Sequence, residues 1–342
     1  TEITIHIKNM KGISVIMKHT YEKEKQSKYI RTDLAAECYP PAAADTDEEK
    51  KLKQDFDGLI YKVKEGKGIK ITELEITSKI GEEKIGKPAG RYITAEIGRL
   101  WQKGKTEQEK IAEILAQNLS SLILDSVNKF GIKTTVREDG SIDCGTVLIV
   151  GLGNRFVTAD AIGPLAVDGI TVTRHIKLSD KELFDKLGAA ETAAIAPGVA
   201  GQTGIETSEL VKSTVKSISP SVIIAIDALA ARSTERLGTT VQLCDTGISP
   251  GSGIGNFRGA INYNTLGVPV IAIGVPTIVD SSTLVYDALS KAGIENTPPE
   301  LEKILENGRS FFVSLKESDE ATKTLSQLIG DMIGIVFGTR FD

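Results

Sequence analysis

The chain has 342 residues, of which 40% are hydrophobic and 25% charged, and its formal net charge is −5. That composition belongs to a globular protein long enough to bury a sizeable core in one large or two ordinary domains. It excludes the basic footprint of a nucleic-acid binder, and no run approaches the roughly 20 apolar residues that would span a bilayer. The three cysteines, Cys38, Cys144 and Cys244, show no CxxC and no metal-ligand spacing, which fits a reducing compartment. The N-terminal TEITIHIKNMKG lacks the layout of a signal peptide, so a cytosol-like location is expected.

Residues 1–28 carry scattered lysines and little apolar periodicity after Met17, and read as an extension to the folded body. Pro40-Pro41-Ala42-Ala43-Ala44-Asp45 reads as a loop. A strand-rich portion follows, over about residues 50–105. Gly58 to Val63 and Ile69 to Ile76 alternate apolar and polar residues as half-exposed strands do. Gly86 to Gly90 is a turn, with an extended piece at Tyr92-Ile93-Thr94. The clearest helix spans 106–130. Thr106 and Glu109 match a capping box, Ile111, Leu115, Leu119, Leu122 and Val127 recur at helical spacing, and Gly131 ends it.

From residue 145 the pattern changes to strand, loop, helix. Strands are expected at 146–150, 169–174, 221–226 and 268–274, and a helix from the N-cap Thr207 to before Pro220. Residues 246–260 read as a long Gly-rich loop, and 298–335 as one or two helices. Runs that are apolar on both faces, such as Val147 to Val150 and Val222 to Ile226, are what central parallel strands require. The expected fold is therefore α/β, with a mostly parallel central sheet, flanking helices and the strand-rich N-terminal part.

Two acids stand out. Asp160 follows the first buried strand and the tight turn Gly151-Leu152-Gly153. Asp227 directly follows the run ending at Ile226. In open α/β sheets ligands bind beyond the carboxyl ends of the strands. If these two strands are neighbours, the carboxylates share a crevice, disfavour each other's ionised form and can hold one proton between them. One group then activates water while the other protonates the leaving amine. The alternative is that each aspartate caps a helix or pairs with an arginine such as Arg232.

Other patterns carry less. Asp245-Thr246-Gly247 matches a triplet of pepsin-type proteases, but those enzymes need two triplets in an all-β frame. Gly247-Ile248-Ser249-Pro250-Gly251 satisfies G-x-S-x-G, yet Pro250 and Gly251 oppose an immediate helix and no histidine follows His175. Gly151-x-Gly153 has Phe156 where a dinucleotide fingerprint needs its third glycine, and Gly251 to Gly255 lacks the lysine of a P-loop. His175 follows Arg174 at the end of an expected strand. A metal role would draw on Asp160 and Asp227 as partners.

Taken together, Gly151 to Asn154, Val157 to Pro164, Val172 to His175, Ala196 to Val199, Gly201 to Thr207, Ala225 to Arg232, Asp245 to Asn256 and Val270 to Thr277 resemble the germination protease family of spore-forming bacteria. Arg31-Thr32-Asp33-Leu34 and the Gly86 to Thr94 stretch fit as well. The resemblance covers roughly residues 29–340. It implies an atypical aspartic endopeptidase that degrades small acid-soluble spore proteins during germination, with Asp160 and Asp227 as its catalytic acids. It also implies a zymogen activated by N-terminal autoprocessing, a homotetramer and a location in the spore core or forespore cytoplasm. Residues 1–33 are then a propeptide, cut between Tyr29 and Glu37, and residues 34–342 a single catalytic domain. The expected partners are protein substrates, not nucleic acid or membrane, and no cofactor or metal is required.

The fold also resembles that of the hydrogenase-maturation endopeptidases, where the corresponding acids contact nickel. The alternatives are therefore a nickel-dependent peptidase of that type, or a nucleotide-binding oxidoreductase.

Overall fold

The computed structural model describes residues 31–38, 58–66, 68–251, 259–294, 298–306 and 311–340. The expected extension over residues 1–28 and the proline loop at 40–45 lie outside the described residues. Among those described, nine strands form one mixed sheet. In chain order these are β1 (Leu59–Gly66), β2 (Ile69–Ile76), β3 (Gly90–Glu96), β6 (Val147–Gly151), β7 (Thr192–Ile195), β8 (Val222–Ala231), β9 (Thr240–Cys244), β10 (Val270–Asp280) and β11 (Phe312–Ser314). Between β3 and β6, β4 (Thr135–Val136) and β5 (Ile142–Asp143) form a separate small hairpin.

The sheet runs in the order β1-β2-β3-β9-β10-β8-β6-β7, with β11 also pairing with β10. The segment β10-β8-β6-β7 is parallel throughout. β9 is antiparallel to both β10 and β3, and β2 and β1 continue as an antiparallel meander. The α/β class with a parallel centre and a strand-rich N-terminal part is thus the observed one. β6 is buried at all five positions, as a strand covered on both faces must be, whereas β1 is mostly exposed.

Two long helices cover one face, α1 (Lys105–Lys129) and α5 (Ser318–Phe337). They bury Leu115, Leu119, Ile123, Leu325, Ile329 and Ile333 against Ile149, Ile224, Ile226, Ile273 and Leu243. Each core side chain sealed there contributes on the order of 1.5–3 kcal/mol. On the opposite face α3 (Thr207–Ile218) sets Val211 and Val215 over Leu148, Val150, Ile223 and Ala225. The short helix α2 (Ile162–Asp168) crosses the end of β6, and α4 (Ser281–Lys291) follows β10.

Several details differ from expectation. Gly169 to Thr173 forms no strand. A single backbone bond, Thr173 N–H to the Thr192 carbonyl at 3.1 Å, joins this stretch to β7, and hydroxyl bonds supply the rest, Thr173 Oγ1 to the Ala190 carbonyl at 2.6 Å and Thr192 Oγ1 to the Thr171 carbonyl at 3.2 Å. Residues 174–179 are helical. α1 starts at Lys105 behind the N-cap Gly104, so Thr106 and Glu109 make no capping box. For α3, Glu206 is the N-cap and the Thr207 hydroxyl donates to the Gly198 carbonyl at 2.9 Å. β8 does not stop at Ile226 but runs on to Ala231, because β10 supplies a partner along that whole length. No helix among the described residues is long and apolar enough to cross a membrane.

Candidate active site

The parallel pairing of β6 with β8 ends at Gly151 and Ile226. β6 turns away there, and Asp227 is the first residue of β8 without a β6 neighbour. The crevice this opens is filled by the segment from Leu152 to α2. The approach is tight and depends on glycine. A Cβ on Gly163 would lie 2.3 Å from the Leu152 carbonyl oxygen and 2.6 Å from that of Ile226. Only a residue without a side chain lets α2 rest directly on the two strand ends.

Asp160 closes a 3₁₀ turn, Thr158–Asp160. That turn is pinned from two sides. Thr277 of β10 donates from Oγ1 to the Ala159 carbonyl at 2.6 Å, and Thr322 of α5 donates to the Thr158 carbonyl at 3.3 Å. The Asp160 carboxylate accepts from the Asn154 N–H at 2.8 Å, and Asn154 in turn accepts from Gln202 Nε2 at 2.7 Å. Asp227 is 5% exposed, and its carboxylate accepts from the Ala228 N–H at 3.0 Å.

Asp160 and Asp227 line one cavity of about 170 Å³, together with Asp33, Gly153, Thr277 and Phe312. A second cavity of about 270 Å³ adjoins it across Asp33, Asp227 and Leu229, and is lined further by Lys87, Gln242 and Ser249. The two form a groove over the sheet at the end of β6. A larger cavity of about 730 Å³ elsewhere is lined by mutually paired charges, among them Glu37 with Arg236 and Arg232 with Asp287, and holds neither aspartate.

Residues 31–38 run across this groove. Asp33 donates its N–H to the Ala230 carbonyl at 2.9 Å, and its carboxylate accepts from the Ala230 N–H at 2.9 Å. Lys87 Nζ donates to the Thr32 carbonyl at 3.1 Å. Glu37 accepts from the N–H groups of Arg232 at 2.7 Å and Ser233 at 3.0 Å. Leu34 and Ala35 are fully buried beneath these contacts.

The weaker motifs resolve differently. Asp245 accepts from the Arg91 N–H at 2.8 Å and so ties β9 to β3, and burial pushes its carboxyl up. Ser249 is exposed at the rim of the second cavity, and the residues after Gly251 in the expected loop lie outside those described until 259. His175 is exposed on a helix that starts beside Thr192, the first residue of β7, at the amino end of the parallel strands. The fold does not bring it to Asp160 and Asp227. Cys244 and Tyr92 line the second cavity, and burial raises both, so each stays protonated near neutral pH.

Gln242 and Lys87 are site-lining residues to which the sequence reading assigns no role. The signal for β9 is present as strict alternation, with Val241 and Leu243 facing the helices and Gln242 facing the groove.

Residues 36–292 match the family described as germination protease. The chain belongs to the germination protease family. It is 44% identical over 261 residues to the germination protease of Priestia megaterium and 43% identical over 261 residues to that of Bacillus subtilis, 76% of this chain in each case. It is 37% identical over 315 residues to that of Clostridium tetani, 92% of this chain and 89% of that protein. The match spans 66% of the length of the Priestia and Bacillus proteins. The family match includes both groove aspartates and the segment from Ala36 onward.

Proposed function

We propose that this germination protease family member is an endopeptidase in which Asp160 and Asp227 hydrolyse peptide bonds as a carboxylate pair, acting on small acid-soluble spore proteins in the spore core. The observation that carries this reading is the cavity that both side chains line, at the carboxyl end of β6 where an open α/β sheet binds its ligands. The pair shares one proton. The ionised partner takes a proton from water as that water attacks the peptide carbonyl carbon. The protonated partner gives its proton to the amide nitrogen as the C–N bond breaks. The buried setting of Asp227 strengthens these charge interactions relative to bulk water.

The same reading makes the chain a zymogen. Asp33 reaches into the cavity of the two acids, and the Asp33–Leu34 bond is the boundary at which residues 1–33 are removed to leave 34–342 as the catalytic domain. While residues 31–35 occupy the groove, a substrate cannot. The assembly is a homotetramer on the strength of the resemblance.

The test is digestion of a purified small acid-soluble spore protein by residues 34–342, wild type and variant both produced without the N-terminal segment, read by mass spectrometry. Asp227→Asn abolishes cleavage while thermal unfolding and circular dichroism stay those of the wild type. Cleavage by that variant at the wild-type rate contradicts the assignment.

A further inference from the structure

Asp227, Gly274 and Gln242 occupy one row across three adjacent strands. Gly274 of β10 pairs in register with Asp227 of β8 and with Gln242 of β9. Directly paired residues present their side chains to the same face of a sheet. The Gln242 amide and the Asp227 carboxyl therefore face the same groove, with backbones about 10 Å apart, two strand spacings. Gly274 puts no side chain between them, and Leu229 takes the room that a Cβ there would need.

Gln242 is 6% exposed, and its amide is turned onto the crossing segment. Nε2 donates to the Asp33 carbonyl at 3.2 Å, and Oε1 accepts from the Ala35 N–H at 2.7 Å. Those two groups bracket Leu34. The carbonyl belongs to the Asp33–Leu34 peptide bond, and the N–H belongs to the next peptide bond, Leu34–Ala35. One side-chain amide thus pairs with a C=O and an N–H of a passing chain, as a neighbouring strand does in β-augmentation. Both contacts are to main chain, so they serve any sequence that lies in the groove.

We infer that Gln242 holds a substrate's main chain across the bond to be cut, Nε2 donating to the carbonyl of that bond and Oε1 accepting from the N–H of the second residue beyond it. The inference rests on the peptidase reading above and takes residues 31–35 as lying where a substrate lies. Negative charge grows on that carbonyl oxygen as water attacks, so the Nε2–H donor acts on kcat as well as on KM.

The experiment uses the full chain and follows release of its own N-terminal segment by mass spectrometry. It also uses two peptides with the sequence of residues 29–37, one unmodified and one N-methylated at the nitrogen of the residue equivalent to Ala35, added to the self-processed protein. Gln242→Leu releases its segment at least tenfold more slowly than the wild type, the size expected for a lost buried hydrogen-bond pair. The wild type cleaves the unmodified peptide at least tenfold faster than the methylated one. Self-release by Gln242→Leu at the wild-type rate overturns the clamp. Where that variant does not fold, the peptide pair on the wild type decides, and equal cleavage of the two overturns the clamp. Asp227→Asn separates the two readings. The clamp can fail with this variant still inactive, whereas full activity of Asp227→Asn overturns the carboxylate pair and the clamp with it.

Discussion

Gly153 lies directly against Asp160. A Cβ on Gly153 would fall 2.1 Å from the Asp160 carbonyl oxygen and 2.9 Å from its Oδ1, and the backbone there has φ +110°. The turn after β6 is therefore shaped around the aspartate, and a side chain at 153 can enter only by moving it.

Gly153→Ala should cost about 1–3 kcal/mol of stability, from the strained φ and the forced shift. Peptidase activity should fall more than tenfold beyond that, because a displacement near 1 Å of a reacting group is enough to do so. Gly188→Ala is the control. It also has positive φ, +63°, but its Cβ would meet nothing within 4 Å, so it should lose about 1 kcal/mol and no activity. Equal activity loss in the two variants, measured at a temperature where both are folded, contradicts the role given to the Gly153–Asp160 contact.

Glu37 fixes the crossing segment from its far end. Its carboxylate accepts from two backbone N–H groups after β8, pairs with Arg236 and accepts from the Thr32 hydroxyl. Glu37→Ala strands the Arg232 and Ser233 N–H groups and should lower the unfolding free energy by about 2–3 kcal/mol. Glu37→Gln keeps an acceptor and should lose about half of that. Denaturant unfolding measures both, and a change below about 0.5 kcal/mol in the alanine variant contradicts the anchoring role.

The pH dependence follows from Asp245. Burial raises its carboxyl in the folded protein, so the folded state binds that proton more tightly than the unfolded chain does. Ionised Asp245 therefore opposes folding above its folded pKa, and this penalty disappears as pH falls toward the unfolded value. Asp245→Asn retains an oxygen acceptor for the Arg91 N–H. It should melt at or above the wild-type temperature at pH 7, with the difference shrinking as pH is lowered toward about 4. A variant less stable at pH 7 than at pH 4, relative to wild type, reverses the sign and contradicts this account.

The parallel centre of the fold was legible because Val147 to Val150 and Val222 to Ile226 are apolar on both faces, which only a covered strand tolerates. Thr192 to Ile195 carries no such mark. Its two alanines suit a strand no better than a helix, and it becomes β7 because β6 offers a free edge. Ile170 to Thr173 misleads in the opposite sense, since β-branched residues suggest a strand while only one backbone bond, Thr173 N–H to the Thr192 carbonyl, forms and threonine hydroxyls make the other contacts. The end of β8 was hidden for a similar reason. Ala228 to Ala231 has little strand propensity of its own, and the pairing with β10 and the hold of Asp33 on Ala230 keep it extended.

Asp160 and Asp227 could be singled out from sequence because each follows a recognisable buried run. Gln242 could not. Its role arises from a row across β8, β10 and β9, and that register depends on tertiary pairing that no local pattern encodes. Asp33 lies in a stretch that resembles the family in sequence, but its place beside the two acids is set by its N–H and carboxylate bonds to Ala230, far along the chain.

The central claim is that Asp160 and Asp227 work as one unit. The most direct measurement compares single-turnover cleavage of a small acid-soluble spore protein by Asp160→Asn, Asp227→Asn and the double variant, each produced as residues 34–342 so that no blocking segment remains. Groups that share a single proton and water are grossly non-additive, so each single variant should lose essentially all activity and the double variant should lose no more. Independent losses that multiply in the double variant, or wild-type turnover in either single one, would contradict it.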